Sequence, residues 1–128
     1  MIYIASYKSL RKLKGFYTLA ISNGIPASYY GARYKKLAPT YNWVRKLKTI
    51  LSSKEGMTQE DKVSMIELYY DEVLSKYNPK DIYDELISIG DGRDVVLLTQ
   101  EAYLEFSSRK IVQAWFVQQG LPCEEICD

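Results

Sequence analysis

Val95-Val-Leu-Leu-Thr-Gln-Glu-Ala-Tyr-Leu-Glu-Phe-Ser-Ser-Arg-Lys-Ile-Val-Gln-Ala-Trp-Phe116 is the stretch that decides the fold. It opens with four apolar residues, Val95 to Leu98, directly after the turn-rich Gly90-Asp91-Gly92-Arg93-Asp94. An unbroken apolar run containing β-branched residues reads as a strand buried on both faces, and a parallel sheet is its usual host. After Leu98 the pattern turns polar. From Ser107 a helical pattern begins, with Ile111, Val112, Trp115 and Phe116 on one face, and Gly120 stops it. Strand, polar loop and helix start, in that order, form the ligand-binding corner of an open α/β sheet.

Outward from this stretch, Ile2–Ala5 and Phe16–Ile21 read as two more strands, each followed by small polar residues: Ser6-Tyr7-Lys8 and Ser22-Asn23-Gly24. If the strands are parallel, the strand ends near Ser6 and near Ser22 open toward the same edge as Thr99 and gather small hydroxyl residues and backbone amides around one pocket. The reading is a single α/β domain over residues 1–128. It has a small, mainly parallel sheet flanked by helices, a Rossmann-like three-layer arrangement. Thr40 caps a helix to about Leu51, with Val44, Leu47, Ile50 and Leu51 on one side. Thr58 with Glu60 and Asp61 starts a second helix to about Tyr77, whose expected buried stripe is Val63, Ile66, Tyr70, Val73, Leu74 and Tyr77. Asn78-Pro79 caps a third, with Ile82, Leu86 and Ile89 inward. Leu121–Ile126 reads as a final edge strand, its alternation broken by Glu124 and Glu125.

The formal charge of +1 conceals a division. Residues 1–54 hold eleven Lys and Arg and no acid, and residues 55–128 hold six bases and all sixteen acids. A basic segment of this kind suits an anionic partner, nucleotide or nucleic acid; pairing of the two halves within one fold is the alternative. The connection over residues 23–39 interleaves Tyr29, Tyr30 and Tyr34 with Arg33, Lys35 and Lys36, a mixture suited to stacking bases and meeting phosphates. Core packing of the tyrosines competes with that reading.

The absence of histidine removes the commonest general base and excludes a Ser-His-Asp triad. Cys123 and Cys127, spaced Cys-x-x-x-Cys, have no histidine or third cysteine to complete a metal site, so no metal or cofactor is expected. No run approaches the roughly 18 to 20 apolar residues of a membrane span. The start MIYIASYKSL does not read as a secretory signal, and none is expected. Cytoplasmic, reduced thiols are the expectation. Ser107 or Ser108 at a helix N-terminus with Arg109 in the first turn offers hydroxyls, amides and a guanidinium to an anion.

The Val95–Phe116 stretch also resembles the signature region of the "domain of unknown function 488" family. That family has a strand ending in Cys, a Glu two residues on, and a Cys-His-Arg triplet opening the next helix. Here Thr99 stands at the strand-end Cys, Glu101 at the Glu, and Ser107-Ser108-Arg109 at the triplet. Trp115 falls where the family often has a Trp. The resemblance reaches over nearly the whole chain, including Leu37-Ala38-Pro39 and the region of Tyr69. The resemblance implies a member whose catalytic residues have been replaced; with the basic half, the tyrosine loop and the helix start, the reading is a domain that binds a nucleotide or nucleic acid through Arg109, Ser107, Ser108, Thr99, Ser6, Tyr7, Lys8, Arg33 and Tyr34. Two alternatives remain. One is an enzyme on a nucleotide or modified base, using Glu101 and Arg109. The other is a protein-interaction module, of a phage or mobile element.

Overall fold

A computed structural model describes residues 1–100 and 106–127. The apolar run forms a strand at Val95–Thr99 with all five residues buried. It is the fourth of five, after Ile2–Ser6 (β1), Tyr17–Ala20 (β2) and the two-residue Ala32–Arg33 (β3), and before Cys123–Glu125 (β5). The sheet order is β3-β2-β4-β1-β5, and every pairing is parallel. β4 therefore has a strand on each side as well as layers above and below, which is what its apolar sequence requires. The register places Ser6 opposite Thr99, and Ala20 opposite Leu98.

The helices are Tyr41–Leu51 (α1), Gln59–Glu72 (α2), Pro79–Gly90 (α3) and Ser108–Val117 (α4). The connections β1→β2 and β2→β3 step across the sheet in one direction, and β3→β4 and β4→β5 step in the other. Right-handed crossovers must then lie on opposite faces. On one face Leu13, with Leu10 and Phe16 beside it, packs over Ala5, Ala20, Val96 and Leu98. On the other, all four helices pack over Ile2, Ile4, Leu19, Val95 and Leu97. The arrangement is three-layered, but the first face is covered by a 3₁₀ turn at Tyr7–Lys12 and irregular chain in place of α-helices.

Local signals act where the sequence places them. Thr40 accepts from the Trp43 amide, Thr58 and Asp61 close a reciprocal capping box, and Asn78 accepts from the amides of Lys80 and Asp81. The helix expected to reach Tyr77 ends at Glu72, and the chain then makes a 3₁₀ turn at Leu74–Lys76. The face it buries also differs. Met65, Tyr69, Val73 and Leu74 are in the core, while Val63, Ile66 and Tyr70 are 46 %, 44 % and 50 % exposed. α2 is apolar on two sides, so its sequence offers two candidate faces. Tertiary contacts choose between them: the Trp43 indole N–H donates to the Met65 carbonyl at 2.8 Å, and the Tyr69 hydroxyl donates to the Leu37 carbonyl. In α1, Trp43 and Leu47 are buried and Leu51 is exposed.

Candidate functional site at the carboxyl edge of the sheet

β1 and β4 are neighbours, and the chain leaves them toward opposite faces. The chain also leaves β2 toward the face opposite to the exit of β4, so β4 is flanked by switch points, the places where open α/β folds form a crevice. Ser6 and Thr99 end the two strands side by side, both buried. The Ser6 hydroxyl accepts from the Lys8 amide at 3.2 Å and so starts the 3₁₀ turn. The Ser22 hydroxyl donates to the Gly24 carbonyl at 2.7 Å. With its one proton thus committed, it accepts from the Tyr7 hydroxyl at 2.7 Å. A chain of hydroxyls therefore joins the exits of β1 and β2.

At the start of α4, Ser107, Ser108 and Arg109 are all buried. The Arg109 guanidinium, 3 % exposed, donates to Thr99 Oγ1 at 3.0 Å and to Glu125 Oε2 at 3.2 Å. It ties the first turn of α4 to β4 and to β5. Lys110 reaches the other oxygen of Glu125 at 3.7 Å. Ser107 occupies the N-cap position but makes no side-chain cap hydrogen bond, and among the described residues its Oγ is buried without a partner.

The structure thus brings Ser6, Thr99, Ser107, Ser108 and Arg109 to one edge, with Tyr7 and exposed Lys8 beside them. It does not bring Arg33 and Tyr34 there as a pair. Arg33 is exposed and donates to the Asn23 carbonyl at 3.3 Å. Tyr34 turns into the helical face, and its hydroxyl donates to Glu85 of α3. Burial, reinforced by that carboxylate, pushes the Tyr34 phenol well above its ordinary range. Glu101, the sequence candidate for a base, lies outside the described residues. The two charge halves meet at Lys36–Glu85 and at the Met1 amine–Asp94 pair.

A pocket of about 330 Å³ opens beside the ends of β2 and β4, where the sequence places the Ser22 end of the second strand beside Thr99; the contributions of Trp43, Val44, Leu47, Lys48 and Gln100 are not evident from the sequence. Ser22, Asn23 and Gln100 form its polar lip, Lys48 stands at one side, and Trp43, Val44 and Leu47 form its apolar wall. The Asn23 amide donates to the Pro39 carbonyl, which fastens the β2 exit to the approach of α1. Two signals were in the sequence: Ser22-Asn23-Gly24 and Thr99-Gln100 each follow a strand. Their meeting needed the β2–β4 adjacency. Trp43 also stacks on Phe106, with ring centroids 6.3 Å apart and planes 25° apart.

Among the described residues no group of three His, Cys, Asp or Glu is placed to hold a metal ion, and no helix is long and apolar enough to cross a membrane. Comparisons of the chain with protein-family models, with curated proteins and with solved structures find no match.

Proposed function

We propose that this chain is a nucleotide-binding α/β domain and a catalytically degenerate relative of the "domain of unknown function 488" family. The observation that carries the reading is the pocket of about 330 Å³ at the carboxyl ends of β2 and β4. Its position obeys the general rule for ligands of open α/β sheets, and its size lies at the small end of ligand sites. The apolar wall of Val44, Leu47 and Leu51, backed by buried Trp43, suits the flat face of a base. The side-chain amides of Asn23 and Gln100 supply the donors and acceptors that read a base edge or ribose. Lys48, from the basic half of the chain, is the cation for a phosphate.

In this reading Arg109 is a positioning residue. Its guanidinium holds Thr99 and Glu125 and so fixes the β4 exit that delivers Gln100 to the pocket. The family resemblance is supported by the way Thr99, Ser107, Ser108 and Arg109 converge, although they come from two separate elements. Thr99 and the two serines supply hydroxyls in place of thiol and imidazole chemistry, which supports binding without turnover. The free thiols Cys123 and Cys127 support a cytoplasmic location.

The experiment is calorimetric titration with the four common nucleoside monophosphates and a short single-stranded oligonucleotide at two salt concentrations. One or more monophosphates should bind. Lys48→Ala should weaken binding about tenfold, the worth of one charge-assisted hydrogen bond. Gln100→Ala should change the preference among bases. For the oligonucleotide, the salt slope should be about −0.7 per phosphate neutralised. No saturable binding of any nucleotide at low salt would reject the proposal.

A further inference from the structure

We infer that the groove between α2 and α4 is a second binding site, for a small apolar carboxylic acid whose head group meets Ser107 at the start of α4. The groove, of about 280 Å³, lies on the helical face and shares no lining residue with the first pocket. Ile66 and Tyr70 of α2 form one wall, and Ile111, Ala114 and Trp115 of α4 form the other. This accounts for the exposed side of α2: Ile66 and Tyr70 are held out of the core and line a cleft.

Two polar side chains of the groove, Ser107 and Lys110, stand within one turn at the start of α4, while Gln118 lines it at the far end of the helix and Tyr70 from α2. Ser107 is fully buried in the lining, and among the described residues its hydroxyl has no hydrogen-bond partner. A serine at an N-cap ordinarily accepts from its own helix, and this one does not. A buried hydroxyl without a partner is a net loss to folding, and in a native protein it calls for a reason. A ligand oxygen accepting the Ser107 proton supplies one. The helix N-terminus favours a negative group at that place. Lys110 also lines the groove, one turn on, and its ammonium is only loosely held: it stands 3.7 Å from Glu125, which Arg109 contacts at 3.2 Å. A carboxylate head therefore meets a hydroxyl donor, an ammonium and the helix dipole. Apart from Gln118 and the Tyr70 phenol the remaining lining is apolar, so the body is aliphatic or aromatic.

Octanoate and 3-phenylpropanoate are the probes, titrated calorimetrically against the full chain, with octan-1-ol, octylamine and inorganic phosphate as controls. The acids should saturate one site, octanol should bind at least tenfold more weakly, and the amine and phosphate should not bind. Ala114→Trp, which fills the groove, should abolish acid binding and leave nucleotide binding unchanged. Lys110→Ala should weaken the acids about tenfold. Ser107→Ala is the decisive variant: it should weaken the acids at least fivefold while the melting temperature of the free protein rises or holds. Absence of acid binding, equal binding of acid and alcohol, or a Ser107→Ala protein that melts lower with unchanged affinity would each overturn the inference. So would a basic amphipathic peptide that saturates the groove when no acid does, since that marks the face as a protein-docking surface.

Discussion

Trp43 joins α1, α2 and the approach to α4 within the helical layer. It is among the largest fully buried residues, its indole N–H donates to the Met65 carbonyl at 2.8 Å, and its ring meets Tyr69 edge-on at 5.5 Å and stacks with Phe106. Trp43→Ala removes the ring from the junction of α1, α2 and the approach to α4. The loss of transfer energy and the cavity together should cost about 3 to 5 kcal/mol. Trp43→Phe keeps most of the ring volume and loses the indole donor, for about 1 to 2 kcal/mol. In a chain of 128 residues, each kcal/mol corresponds to roughly 4 °C, so the alanine variant should melt about 12 to 20 °C lower. The assay is urea unfolding followed by far-ultraviolet circular dichroism, with the slope of free energy against denaturant unchanged between variants. A Trp43→Ala cost below about 1 kcal/mol, or equal costs for the two substitutions, would refute this account of the packing.

Three other outcomes follow from the structure. A Cβ on Gly90 would stand 2.7 Å from Cγ2 of fully buried Val95, so Gly90→Ala should lose about 1 to 3 kcal/mol despite the better helix propensity of alanine, and a neutral or stabilising result in thermal melts would contradict this. Burial and the charge of Glu124 push the Cys123 thiol up to about 12, whereas Cys127 is exposed; a thiol reagent near pH 8 should label one cysteine per folded chain and two in denaturant, and rapid labelling of both would be contrary. The raised Cys123 value also means that its contribution to stability, complete at neutral pH, fades as pH rises toward 12. Glu85 is held below the usual carboxylate range by the Tyr34 hydroxyl and then by Lys36, so the stability it lends is present near neutrality and fades as pH falls below about 4.5; Glu85→Gln should flatten the acid limb of melting temperature against pH, and superimposable limbs would exclude the contact.

Much of the frame was legible because local chemistry and burial agree. Val95–Leu98 has no polar position, so it had to be a central strand, and the parallel sheet followed. Thr40, Thr58 and Asn78 mark helix starts by chemistry confined to three or four residues. The errors fall where sequence offers two equivalent choices. α2 carries apolar residues on both the Met65–Tyr69 side and the Ile66–Tyr70 side, and only packing against Trp43 and Leu37 selects the first. The Phe16–Ile21 and Leu121–Ile126 strands shorten to Tyr17–Ala20 and Cys123–Glu125, because ladder pairing, not residue type, sets strand ends.

The edge carrying Thr99, Ser107 and Arg109 was equally readable, since a strand followed by a polar loop and a helix start has few geometries. What Arg109 would meet there was not. Its carboxylate is Glu125, supplied by the edge strand β5 across sixteen residues of chain. Tyr34 had the same uncertainty in reverse: beside Arg33 in sequence it suits a base-stacking loop, and the fold turns it toward Glu85. The pocket at Asn23 and Gln100 required knowledge that β2 and β4 are neighbours, which no single segment encodes.

The central claim, a nucleotide site at the carboxyl ends of β2 and β4, is tested most directly by amide-detected NMR titration with the four nucleoside monophosphates. The account predicts saturable shifts concentrated at Ser22, Asn23, Gly24, Lys48 and Gln100, with the indole of Trp43 moving and the α2–α4 groove at Ile66 and Ala114 unmoved. Saturable shifts confined to that groove, or no saturable shift anywhere at low salt, would contradict it.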